Sequence, residues 1–136
     1  MRRIELAERT LTASIITSFY DVYNTLGFGF LERLYIAALE LELLERGHEV
    51  GREVSVYVTY KSRLLGTQRL DMVVDKKVVV EAKSTAELHP GAARQLRNYL
   101  RATDLEVGLL LHFGLEPKFY RFFSPRQRPP QSVGSV

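Results

Sequence analysis

Asp71 and the tripeptide Glu81-Ala82-Lys83 interrupt two stretches that are otherwise largely apolar, Gln68 to Val74 and Val78 to Lys83. Charged residues are depleted in strand interiors, so their presence inside strand-like runs asks for a chemical reason. The Asp75-Lys76-Lys77 segment between the runs is short enough to turn an antiparallel hairpin. Pairing Val74 with Val78 across that turn sets Asp71 opposite Glu81, with both carboxylates on one face. Opposed like charges destabilise a sheet unless something neutralises them, and a hard divalent cation with oxygen ligands does so directly. Lys83, two residues further on, points to the same face. Carboxylates that hold Mg²⁺ or Mn²⁺, with an ammonium group facing phosphate and attacking water, are what metal-assisted phosphodiester hydrolysis uses. The main-chain carbonyl of Ala82 is a further candidate metal ligand. The competing reading is a charge-paired sheet face, on which Lys83 and Arg69 simply neutralise Asp71 and Glu81.

Other side chains fall where they can join this group. Glu32 shares a helix face with Tyr35, Ile36 and Leu39, which should turn toward the core, and an unpaired carboxylate there is costly. Gln95 precedes Tyr99 by one helical turn and is a candidate for the metal site or the scissile phosphate; its alternative is a surface amide. Arg94, Arg97 and Arg101 recur at i, i+3 and i+7 and form a basic stripe, either a solvated helix face or, with Lys61 and Arg63, a phosphate track. His48, His89 and His112 show no ligand spacing, and without cysteine no thiolate metal site exists. Gly27 and Gly29 lack the Gly-Lys-Ser or Gly-Lys-Thr continuation of a phosphate-binding loop and are expected to turn the chain between helices.

The elements that must position these residues follow from apolar periodicity. Ile15, Ile16, Phe19, Val22, Tyr23 and Leu26 form one stripe of a helix from about Thr10 to Leu26, and a second helix runs from about Leu31 to Arg46, stopped by Gly47. Val54, Val56, Val58 and Tyr60 alternate with polar or exposed positions and predict a strand, followed by a turn from Lys61 to Gly66. The Asp71 and Glu81 hairpin comes next, then a helix from about Pro90 to Ala102, and two closing strands, Glu106 to Phe113 and Lys118 to Phe123. The predicted order is α-α-β-β-β-α-β-β. Beyond Phe123 the composition becomes proline-rich and basic, which predicts one folded domain over residues 1–123 and a flexible tail over 124–136.

Gly29-Phe30-Leu31-Glu32-Arg33-Leu34-Tyr35 resembles the signature of the GxxExxY protein family, a group within the PD-(D/E)XK nuclease superfamily. Similar segments continue in the family's order: Tyr57 to Lys61, Arg69 to Asp71, Val78 to Lys83, Gln95 to Leu100 and Gly108 to Gly114. The resemblance covers roughly Ile15 to Phe123. It departs at Ala82, where the family more often carries a larger apolar residue. The resemblance implies an α/β, restriction-endonuclease-like core: a mixed central sheet flanked by helices, with two helices at the N-terminus. It also implies that Glu32, Asp71, Glu81, Lys83 and Gln95 form the catalytic set, with Mg²⁺ (or Mn²⁺) held by Asp71, Glu81, Glu32 and the Ala82 carbonyl. The implied reaction is cleavage of nucleic-acid phosphodiester bonds.

Composition bounds the remaining expectations. The 136 residues, 46% of them hydrophobic, suit one domain with one core. The net charge of +3 resides in the chain ends, since residues 11–120 carry 13 Lys or Arg against 14 Asp or Glu, so global charge says little about partners. No apolar run is long enough to span a membrane, and the zero cysteine count suits a reducing compartment, so a cytoplasmic location is expected. The expected partner is nucleic acid, with DNA ranked ahead of RNA. A homodimer is expected as well, because so small a core has little surface with which to grip an extended duplex. The rival class is a catalytically inactive nuclease-fold module that binds nucleic acid or protein.

Overall fold

The computed structural model describes residues 8–125. Helices α1 (Arg9–Leu26) and α2 (Glu32–Glu45) precede strands β1 (Val50–Tyr60), β2 (Arg63–Val74) and β3 (Val78–Lys83). Helix α3 (Ala92–Ala102) and strands β4 (Val107–Phe113) and β5 (Pro117–Phe123) complete the expected order. The five strands form one sheet in the order β1-β2-β3-β4-β5. β3 and β4 run parallel, and the other neighbours run antiparallel. A parallel pair needs a crossover, which α3 supplies. The fold is mixed α/β of the restriction-endonuclease-like kind.

The central strands are apolar because both of their faces are covered. Val78, Val80 and Ala82 of β3 and Val107, Leu109 and Leu111 of β4 pack under α1 and α2. Val79 and Leu110 point the other way, against Leu96, Tyr99 and Leu100 of α3. Gly108 allows that second contact: a Cβ there would lie 3.0 Å from Leu96 Cδ1 and 3.3 Å from Leu100 Cδ1.

The largest departure from the expected boundaries is in the first hairpin. β1 starts at Val50 and β2 at Arg63, so the expected turn over Lys61 to Gly66 shrinks to Lys61 and Ser62. Both residues have left-handed backbone, with φ of 50° and 64°, the conformation of a tight two-residue hairpin turn. Neither is the Gly or Asn that would signal such a turn. Gly66 lies inside β2 opposite Val58, next to a register shift at Val58/Thr59.

β1 and β2 pair over their whole length, whereas β2 pairs with β3 only over Met72 to Val74. Residues 54–70 therefore leave the sheet as a two-stranded ribbon. The ribbon rolls over as it leaves. Val50 and Met72 pack on the α1–α2 side, yet Val54 and Leu70, an even number of residues away, pack on the α3 side. The switch falls at Glu53, whose φ of 52° is left-handed in the middle of a strand, beside Asp71 on the partner strand.

The α1–α2 layer is pinned by aromatic rings. Phe113 at the end of β4 stacks on Tyr35, with centroids 4.2 Å apart, and meets Phe19 edge-on at 4.8 Å. The Tyr35 hydroxyl donates to the Gly27 carbonyl and accepts from the Phe30 amide at 3.2 Å. It thus closes the α1–α2 turn on itself. Gly29 in that turn has φ of 119°, a conformation that side chains disfavour. No helix among the described residues is long and apolar enough to cross a membrane.

These contacts set an order of stabilities. Phe113→Ala should lower unfolding stability by about 3–5 kcal/mol, because it removes a buried ring and leaves a cavity. Tyr35→Phe keeps the stacking and strands the turn's carbonyl and amide, and should cost only about 1–3 kcal/mol. Urea denaturation of both variants checks the order, which the reverse ranking would refute.

Candidate active site

Asp71 and Glu81 meet where the sheet divides. The expected register holds, with Val74 opposite Val78, but the main-chain ladder stops at Met72 opposite Val80. Side chains replace the ladder one step later. The Asp71 amide donates to Glu81 Oε2 at 2.9 Å, and the Ala82 amide donates to Asp71 Oδ2 at 2.9 Å. Each carboxylate thus satisfies a backbone amide that the fork would otherwise leave without a partner. Each also spends only one of its two oxygens on the protein.

The charge-paired alternative loses one of its two cations at this point, while Lys83 stays within electrostatic reach of both carboxylates. Arg69 turns to Glu53, at 3.3 Å, and the neighbouring Arg52 binds Glu40 at 2.6 Å. Among the described residues, neither Asp71 nor Glu81 has an ion-pair partner within 4.0 Å. Glu81 is 4% exposed. Burial, reinforced by the Asp71 charge, pushes its pKa up to about 8. Burial also raises Asp71, against the opposing effects of the Ala82 amide, Lys83 and Arg52.

Glu32 reaches the same field from the other layer. It is the first residue of α2, behind the turn that Tyr35 closes, where a helix N-terminus favours a carboxylate. Half-burial nevertheless raises its pKa, and the Asp71 charge raises it further. From the α3 layer, Tyr99 is raised by burial and then by Glu81 and Asp71. Lys83 lies on β3 beside His112 of β4 and lowers the pKa of all three carboxylates. The structure therefore brings Glu32, Asp71, Glu81 and Lys83 into one electrostatic group.

The donors suit a hard divalent cation: they are all oxygen, Glu81 is buried and Asp71 half-buried, and among the described residues each keeps one uncommitted oxygen. Among the described residues, no three His, Cys, Asp or Glu side chains converge closely enough to count as a ready-made ligand cluster. Asp71 and Glu81 are the pair that could hold such an ion, with Glu32 facing them.

The remaining candidates separate. Gln95 and Arg94 line a cleft of about 510 Å³ between α3 and the ribbon, together with Gln68, Asn98 and Tyr99. Arg97 lies over the Phe122 ring on β5 at 4.9 Å, away from that cleft's lining, so the arginine stripe is split. Arg101 is exposed on α3, and Lys61 and Arg63 are exposed at the ribbon tip. The histidines make structural bonds. His112 is buried and bonds the Thr85 carbonyl at 2.7 Å, tying down the segment after Lys83. His48 bridges Ser14 and Asp75, each at 2.8 Å, and His89 accepts from the Gly91 amide at the start of α3. Sequence reasoning left out His112, Gln68 and Asn98. Only the strand register of His112 beside Lys83 offered a signal.

The raised Glu81 pKa makes stability depend on pH. Because the folded state holds this proton more tightly than the unfolded chain, stability is greatest below the ordinary glutamate pKa. It is lost as pH rises through about 8. Glu81→Gln keeps an acceptor for the Asp71 amide and removes the charge. In metal-free buffer it should melt higher than wild type at pH 9 and show a flatter profile between pH 5 and 9. A wild-type melting temperature that rises over this range would contradict the assignment.

Comparison with known proteins agrees with the geometry. The search of curated proteins returned no match. Among solved structures, the crystal structure of SSO0001 is similar in fold, with a TM-score of 0.53 and 21% identity over 92% of this chain. The chain spans 63% of that structure's length. A family model described as the PD-(D/E)XK nuclease superfamily matches residues 9–122, the span that contains the fork, its carboxylates and Lys83. The chain belongs to the PD-(D/E)XK nuclease superfamily.

Proposed function

We propose that the protein is a metal-dependent nuclease that hydrolyses nucleic-acid phosphodiester bonds at the Asp71–Glu81 fork. The observation that carries this reading is a pair of carboxylates, Glu81 buried and Asp71 half-buried, without an ion-pair partner among the described residues, with Lys83 two residues beyond Glu81 on the same strand. Asp71 and Glu81 would hold Mg²⁺ or Mn²⁺, assisted by Glu32 and the Ala82 carbonyl. Bound there, the ion supplies Lewis-acid polarisation of a phosphoryl oxygen. Lys83 orients the attacking water, accepts or relays its proton when neutral, and offsets phosphate charge when protonated. Gln95 faces the substrate from α3.

The finer assignment to the GxxExxY group is supported by what its named residues do. Gly29 makes the turn, Glu32 starts the helix, and Tyr35 ties the two together. DNA is the favoured substrate ahead of RNA, and the cytoplasm the favoured location. The rival, an inactive binding module, keeps the fold without turnover.

One preparation tests the reading. Calorimetry should show Mg²⁺ or Mn²⁺ binding to wild type and to Lys83→Ala, and loss of that binding in Glu81→Ala. Lys83→Ala should lose about 10²- to 10⁴-fold in cleavage rate, the usual contribution of a positioned proton-transfer group. Equal metal affinity in wild type and Glu81→Ala would sink the site. Retained cleavage by Lys83→Ala, with only a lowered melting temperature, would leave Lys83 a structural residue.

A dimer is supported by the outer face of α2, where Leu34, Leu41 and Leu44 are exposed beside Phe28, Phe30 and Leu31. Apolar side chains on both sides of one helix fit burial on both sides. Light scattering at micromolar concentration should give twice the 15.6 kDa chain mass, and Leu41→Glu should return it to one.

A further inference from the structure

We propose that the cleft between α3 and the β1–β2 ribbon receives one unpaired strand of nucleic acid and delivers it to the fork; this rests on the nuclease reading. The charge of both walls favours a polyanion. Residues 54–70 of the ribbon contain no acidic residue, and Lys61 and Arg63 are exposed at its tip, while Arg69 is paired with Glu53. Residues 88–103 on the α3 side contain Arg94, which lines the cleft, and the exposed Arg101, likewise with no acidic residue, while Arg97 turns away to Phe122. Such one-signed segments on both sides of a cleft lined by Arg94 stand out in a chain whose middle section is otherwise balanced.

The lining explains why a strand fits better than a simple anion. Gln68 reaches in from β2, and Gln95 and Asn98 from α3, so three carboxamides face one cleft. Each carboxamide presents both donors and an acceptor, the pattern that reads base edges. All three are exposed, as is Arg94. The Tyr99 hydroxyl bonds Gln68 Oε1 at 3.3 Å and joins the two walls at the cleft floor. Gln68 precedes Asp71 by three residues, or about 10 Å of extended strand, and Tyr99 on the cleft lining lies within the field of Glu81 and Asp71, so the cleft neighbours the carboxylates.

Size decides the strand number. A concave cleft of about 510 Å³ has room for bases splayed from one strand and not for a stacked duplex. The converse geometry, in which the ribbon enters the major groove of a duplex, would place DNA outside the cleft.

Fluorescence anisotropy in EDTA, with a labelled 12-nucleotide single strand and a blunt duplex of the same sequence, tests the proposal on the full chain. The single strand should bind more tightly than the duplex. Arg94→Ala combined with Asn98→Ala should weaken it by about tenfold or more, with unchanged melting temperature. Loss of the Arg94 phosphate contact should also reduce the salt slope by about 0.7. Equal or tighter duplex binding, no binding of either probe, or an unaffected double variant would overturn the cleft. Cleavage in Mg²⁺ is scored separately. Single-strand binding without cleavage would retain the cleft and reject the nuclease, whereas cleavage with duplex preference would do the reverse.

Discussion

The exchange of backbone ladder bonds for carboxylate bonds at Asp71 and Glu81 is the constraint on which the rest of the structure turns. A sheet that divides leaves main-chain amides facing each other too far apart to pair, and buried amides without partners are expensive. Here each of the two strands lends a carboxylate to the amide of the other. The same bonds that make the fork tolerable hold two carboxyl groups side by side, one of them buried. Structure and chemistry therefore draw on the same atoms, and the high Glu81 pKa is the visible cost of that arrangement.

Everything around the fork serves to keep it open. The ribbon can leave the sheet because Glu53 adopts a left-handed conformation and the strand pair rolls toward α3, where Val56 and Leu70 find a core of their own. Strain of that kind persists where neighbours over-determine it, and it recurs at functional sites. On the other side, Phe113, Tyr35 and the Gly27–Phe30 turn fix the start of α2. A carboxylate at that start can face the fork without belonging to the sheet. His112 then ties the segment after Lys83 to the buried central strand.

The elements, their order and the Asp71–Glu81 register are legible in the amino-acid pattern, because apolar spacing of period 3.6 marks the helices and continuous apolar runs mark the central strands, which are covered on both faces. The three-residue hairpin after Val74 leaves one plausible register, so the spacing alone pairs the two carboxylates. The ribbon was not legible to its full length. Its turn uses Lys61 and Ser62 at positive φ, where the usual Gly or Asn signal is missing, and its faces switch at Glu53, which defeats simple alternation. The division of the arginine stripe has a different reason. Helical spacing aligns Arg94, Arg97 and Arg101, but Phe122 draws Arg97 over β5.

The sequence alone determined which residues were present to do chemistry and which secondary structure carried them, because both depend on contacts a few residues apart. Only the tertiary structure decided who neutralises whom. Arg69 and Arg52 were as available to the carboxylates in sequence as Lys83, and packing sent them to Glu53 and Glu40 instead. It also decided that Gln68 and Asn98, 30 positions apart, share a cleft wall to wall. Burial and long-range juxtaposition are set by how the ribbon and α3 fold onto each other, and no local pattern in the chain encodes that distance.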